Sequence, residues 1–94
     1  MKEQYIREKV QNYFNKNAQH YISNFVYLSH DDKQHIINIA TSILLHKYKI
    51  ISYTPGGFVD AFLKNDLQQT FAQADNVNTH AIHFYLMLVY NIEL

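Results

Sequence analysis

Apolar side chains recur at steps of three and four along most of the chain. Between residues 2 and 28 the positions Ile6, Val10, Tyr13, Phe14, Ala18, Tyr21, Phe25 and Leu28 keep that spacing, which lines one face of a helix. Glu3 and Arg7 add an i,i+4 ion pair in the favourable order. The weak point is Asn15-Lys16-Asn17, because asparagine competes for backbone hydrogen bonds and favours caps. A break there would make two helices, with Asn17 capping the second. Ser29-His30-Asp31-Asp32 reads as a helix start: Ser29 can accept from the amide three residues on, and two aspartates suit the positive end of the dipole. The helix it opens runs to about Lys47. Its apolar residues Ile36, Ile37, Ile39, Ala40, Ile43, Leu44 and Leu45 cover more than one face, so it is expected to be central.

The pattern changes after Lys47. Tyr48 to Thr54 is β-branched and aromatic and leads into Pro55, which biases the preceding residue away from helix. With no second alternating segment to pair it, residues 48–55 are read as an extended connector. Pro55-Gly56-Gly57-Phe58 holds both glycines and the one proline of the chain. It opens a helix over Phe58 to Lys64. Asn65-Asp66 ends that helix and starts another, Leu67 to Ala74, with Asp66 as N-cap. Asp75-Asn76-Val77-Asn78 is a further break, and Asp75 or Asn78 caps a final helix reaching Ile92. The predicted fold is therefore all-α, a bundle of about five helices in a single domain over 1–94. Residues 1–47 form one helical part and 56–94 another, and the glycine turn looks like a hinge between them.

Composition narrows the function classes. With 48% hydrophobic residues, eight tyrosines and six phenylalanines in 94, the chain can build a core, though one of little margin. There is no cysteine, which removes disulfides, thiolate metal sites and cysteine nucleophiles. A chain this short and apolar can gain further burial by self-association, and the sequence leaves monomer and homo-oligomer equally open. Net charge is zero, which argues against a dedicated DNA- or RNA-binding domain. Residues 1–50 carry seven cations against four anions and residues 51–94 one cation against four, so the parts differ as +3 and −3. Lys2, Glu3 and Arg7 leave no apolar leader core, and the longest apolar run, Phe84 to Tyr90, is too short to span a bilayer. A cytoplasmic location without membrane attachment is the expectation.

Four groups of residues are candidates for chemistry. Two glycines ahead of a helix can bring the amides of Gly56, Gly57 and Phe58 close to an anion, with Lys47 or Lys49 to neutralise it; the same glycines could merely serve a turn that needs positive φ. The pattern lacks the lysine and hydroxyl of a P-loop, and Asp60 already occupies the first turn. His80 and His83 are i,i+3 and could share a metal ion, as could His30 and His35 with Asp31 and Asp32; solvent-facing histidines account for both. Asp60, Asp66 and Asp75 could meet as an acid/base group, but capping explains the last two. A groove for single-stranded nucleic acid needs cations along it, and Arg7 is the one arginine. No catalytic residues, cofactor or metal are assigned on this basis.

From about residue 45 onward the chain resembles a family of short helical proteins encoded by bacteriophages and prophages. The shared pattern is met by Pro55-Gly56-Gly57-Phe58, Asn65-Asp66-Leu67, Ala74-Asp75, Asn78 and Tyr90-Asn91, in register over about half the chain. Family members often carry arginine where this chain has Gln73 and Thr79. The first 44 residues match nothing in that pattern. The resemblance implies a helical phage accessory protein and no reaction; by analogy with other small phage proteins, the leading expectation is a non-enzymatic protein working in the host cytoplasm by binding a host protein, with a component of host defence as one class of target. An oligomeric protein that sequesters a small anionic nucleotide is the alternative, and a metal-dependent hydrolase built on His80 and His83 ranks below it.

Overall fold

The computed structural model describes residues 2–93. In chain order the helices are α1 (Lys2–Tyr21), α2 (His30–Lys47), α3 (Gly57–Leu63), α4 (Leu67–Gln73) and α5 (Asn76–Asn91), with one 3-10 turn, Phe25–Tyr27, between α1 and α2. No strand occurs among the described residues, and the connector after α2 runs without a β partner. The all-α reading holds.

α1 does not break at Asn15–Asn17. It buries Ile6, Val10, Phe14 and Ala18 at four-residue steps, so apolar burial continues on both sides of the asparagines and outweighs their weak propensity. Asn17 caps nothing; its Nδ2 donates back to the Tyr13 carbonyl at 3.1 Å. The chain turns later. The Ser23 amide donates to the His80 carbonyl of α5 at 3.3 Å, and Asn24 takes a left-handed conformation with φ 60°. Phe25 then packs on Phe14 with ring centroids 6.1 Å apart, beneath the ammonium of Lys33 at 4.9 Å.

α2 begins as its sequence predicts. Ser29 Oγ accepts from the Asp32 amide at 3.0 Å and Asp32 Oδ2 accepts from the Ser29 amide at 3.1 Å, a reciprocal capping box. Its C-terminus closes on Lys49, which stands at φ 57°. The amide of Ile50 reaches the Leu45 carbonyl at 2.9 Å and that of Lys49 the His46 carbonyl at 3.1 Å, the paired bonds of a Schellman motif. α3 ends in the same way with Asn65 at φ 59°, through Asp66 to Ala61 and Asn65 to Phe62.

α5 is the helix on which the interior is assembled. Phe84 and Tyr85 are both fully buried and, being adjacent, project in different directions around the axis. Phe84 meets Tyr13 and Phe14 of α1 at 5.7 and 5.6 Å. Tyr85 meets Phe58 and Phe62 of α3 at 5.7 and 6.3 Å. One continuous core therefore spans Ile6 to Leu88 and draws on α1, α2, α3 and α5. The glycine turn is not a hinge between two separate helical parts, because residues before and after it share that core. α4 alone adds no side chain to it; Thr70 is its one buried residue.

Candidate functional site

Neither glycine of the turn is left-handed: Gly56 is extended and Gly57 is the first residue of α3. Gly56 caps α3 with φ −64° and ψ 167°, and no glycine has positive φ, so the turn reading based on positive φ is overturned. A Cβ on Gly57 would lie 2.7 Å from Oε1 of Gln73, where the end of α4 returns over the start of α3; a Cβ on Gly56 would meet nothing within 4 Å. That oxygen is the tip of an exposed, flexible side chain that can move aside, so space requires neither glycine, and Gly56 supplies a tolerated N-cap.

A groove of about 230 Å³ lies beside Gly57, walled by Asp60, Lys64, Asp66, Gln69 and Gln73. Its one cation, Lys64, is already paired with Asp60 at 3.0 Å, and Asp66 Oδ1 accepts from the Gln69 amide at 3.1 Å. Neither Lys47 nor Lys49 lines it. Lys47 instead sits 5.0 Å from the centroid of the neighbouring Tyr48 ring, and Lys49 is the left-handed residue that closes α2. Phe58, the third residue of the proposed anion site, is buried against Tyr85. Two carboxylates around a neutralised lysine oppose a phosphate there.

The histidines pair differently from the sequence pattern. His35 leaves His30, Asp31 and Asp32 and meets Asp75 across the α2–α5 contact, Nε2 to Oδ2 at 2.8 Å. Asp75 Oδ1 meanwhile accepts from the Asn78 amide at 2.7 Å and so caps α5. One turn further in, the Tyr85 hydroxyl donates to Asn78 Oδ1 at 2.6 Å in the buried interior. Burial first, and the nearby Asp75 carboxylate second, raise the Tyr85 pKa well above its ordinary value. No pattern in the sequence joins His35 to a residue 40 positions away. His83 faces solvent, its ring tilted against Tyr21 with centroids 5.1 Å apart. Among the described residues no group of three or more His, Asp or Glu is arranged to hold a metal ion. Asp66 and Asp75 act as caps, as their surroundings in the sequence predict, and Asp60 pairs with Lys64.

Every buried side-chain nitrogen and oxygen among the described residues has a hydrogen-bond partner, so no orphaned interior group waits for a ligand. What the sequence reading missed lies on the surface. A polar groove of about 460 Å³ runs between α1 and the end of α5, with Lys9, Asn12, Tyr13 and Lys16 on one wall and Asn91 on the other. Positions 9, 12, 13 and 16 share a helical face, which is the signal that could have found it. More unusual are the large apolar side chains left in water. Leu67 and Phe71, one turn apart on α4, are 70% and 49% exposed, and Leu86 and Tyr90, one turn apart on α5, are 53% and 80% exposed. Val26 and Tyr27 project from the 3-10 turn.

Comparison with protein-family models, with curated proteins and with solved structures gives no match. No helix among the described residues is long and apolar enough to cross a membrane.

Proposed function

We propose that the protein acts by binding another protein, without chemistry of its own, and that α4 is the helix its partner receives. The observation that carries this reading is the placement of Leu67 and Phe71. A seven-residue helix whose one buried side chain is Thr70, with its two large apolar side chains turned outward at i and i+4, gains little from the fold it belongs to. Its apolar side is the kind of surface that seats in a groove of a partner. Packing on a short hairpin with α3 presents that side at the edge of the bundle.

The bacteriophage resemblance of residues 45–92 gives this binding its biological setting. The protein is read as a phage accessory factor in the host cytoplasm, and its partner as a host protein, with defence components the class of target favoured. The test is capture from host lysate by tagged protein, with Leu67→Glu/Phe71→Glu run beside the wild type. Both residues are exposed, so the double variant should keep the helical circular dichroism and melting of the parent while its specific captured band falls at least tenfold. Equal capture by a folded double variant would remove α4 as the docking helix. Full capture by that variant together with loss by a variant elsewhere would move the site rather than the mode of action.

A further inference from the structure

His46 stands in the last turn of α2 with a backbone carbonyl at each ring nitrogen. Nδ1 lies 2.9 Å from the Ser42 carbonyl oxygen and Nε2 lies 3.1 Å from that of Tyr53. A carbonyl oxygen only accepts, so both contacts are hydrogen bonds only when both nitrogens carry a proton. The neutral ring has one N–H. With that proton on Nε2, the Nδ1 lone pair faces the Ser42 carbonyl, and its one donor is the Ser42 hydroxyl at a long 3.3 Å. With it on Nδ1, the Nε2 lone pair faces the Tyr53 carbonyl instead. Only the imidazolium satisfies both carbonyls, and the C-terminal end of a helix favours its charge.

The Tyr53 carbonyl belongs to a segment with little else to hold it. Among the described residues, Ile51 to Pro55 form no backbone hydrogen bond with the rest of the chain, and the His46 ring supplies the side-chain hydrogen bond that reaches them. Ile51 packs partly buried against the core and Phe58 is buried, whereas Ser52, Tyr53 and Thr54 between them are exposed. A segment with so few apolar contacts and backbone bonds belongs to the least stable part of a fold. The Tyr53 ring also closes on the imidazole, at right angles with centroids 5.3 Å apart.

We infer that His46 is a pH-sensitive clasp on the connector between α2 and α3. Protonated, the ring ties Tyr53 to the end of α2. Neutral, it sets a lone pair against one carbonyl or the other, and turning away from that clash frees residues 52–54. No carboxylate competes for the ring: Asp60 is held by Lys64, Asp75 by His35, and Glu93 lines the groove with Lys9 and Lys16. Lys47 and Lys49 flank it on its own segment, Lys47 turned to the Tyr48 ring, and Lys2 and Tyr5 of α1 lie beside Ile50 at the start of the connector. Tyr53 is the titratable side chain that faces it from the connector itself. Phe58 and Phe62 keep α3 in the core in either state, so the clasp acts on the connector and is independent of the α4 docking surface.

Backbone 15N relaxation of the labelled chain from about pH 5 to 8, with the His46 ring nitrogens followed in the same samples, tests this. At the acid end both ring nitrogens should carry protons, and the amides of residues 52–54 should have order parameters of about 0.85. As the ring loses its proton those values should fall below about 0.6, in step with it. His46→Gln does not titrate, and its residues 52–54 should keep one order parameter throughout. His35→Gln, which removes the other histidine joining two elements, should retain the full transition. Order parameters that stay constant through the His46 titration overturn the inference, as does a transition that persists in a folded His46→Gln. If that variant does not fold, the wild-type titration alone decides.

Discussion

At the scale of single residues, three positions among the described residues carry backbone strain and none is a glycine: Asn24, Lys49 and Asn65 all have φ near +60°. Asparagine tolerates this region because its short polar side chain can bond locally. Lysine has no such relief, yet Lys49 sits at the position after a helix where glycine is preferred. Lys49→Gly should therefore stabilise the protein by about 0.5–1 kcal/mol, the relief of strain exceeding the added freedom of the unfolded chain. Thermal melting should rise by about 2–6 °C for a domain of this size. An unchanged or lower melting point would show that Lys49 is not held in the left-handed region in solution. The sequence conceals this device. Gly56-Gly57 has the composition of a left-handed turn, yet Gly56 is extended and Gly57 begins α3, whereas Tyr48-Lys49-Ile50 has no turn residue and closes α2 through backbone bonds alone. Side-chain caps are different: Ser29, Asp66 and Asp75 each bond an amide three residues on, a local rule visible in the sequence.

At the scale of elements, helix identity was legible and the C-terminal end of α1, read to residue 28 and found at Tyr21, was not. Burial of Phe14 and Ala18 carries α1 through its asparagines, a tertiary effect that propensity does not contain. α4 poses the opposite problem, since Leu67 and Phe71 at i,i+4 look like a core stripe in sequence and are solvent-facing in the fold. Whether a stripe is covered depends on where neighbouring helices run, and α4 touches α3 chiefly. The α5 N-terminus combines a legible part with an illegible one. Asp75 is a cap by local rule, but its second oxygen is bound to His35, which only the α2–α5 contact brings near. Asp75→Ala removes both and should cost about 1–2 kcal/mol. Asp75→Asn keeps an oxygen for the Asn78 amide and weakens only the exposed contact with His35, so its cost should stay below about 1 kcal/mol. Urea unfolding of the three proteins separates the parts. Equal stability of Asp75→Ala and wild type would show that α5 does not depend on this cap.

At the scale of the whole molecule, α1 and α3 are joined through Phe84 and Tyr85 of α5, and Tyr85 is the one buried side chain there that can ionise. Its hydroxyl, bonded to Asn78 Oδ1, is held neutral by burial and by the Asp75 carboxylate, so its pKa is raised in the folded state. The sign of the resulting pH dependence follows. Below about pH 10, the unfolded value, both states keep the proton and the group adds no pH dependence. Above it the unfolded chain releases the proton while the folded chain retains it, so the unfolded state binds fewer protons and stability falls with rising pH. The limiting slope for one group is about 1.4 kcal/mol per pH unit. Tyr85→Phe should begin less stable by about 1–3 kcal/mol at pH 8, because Asn78 is left with a buried, unpartnered oxygen. Between pH 10 and 11.5 its stability should then fall less steeply than that of the wild type, the difference approaching that slope. Denaturant unfolding of both proteins across this range makes the comparison, and parallel curves would show that Tyr85 is not kept neutral by the fold. The Tyr85–Asn78 bond and the Asp75 cap meet at Asn78. Loss of the tyrosine proton in the folded state would therefore set a negative charge against Asn78 Oδ1 and near the Asp75 carboxylate, and alkaline unfolding should take α5 and the core together as one transition.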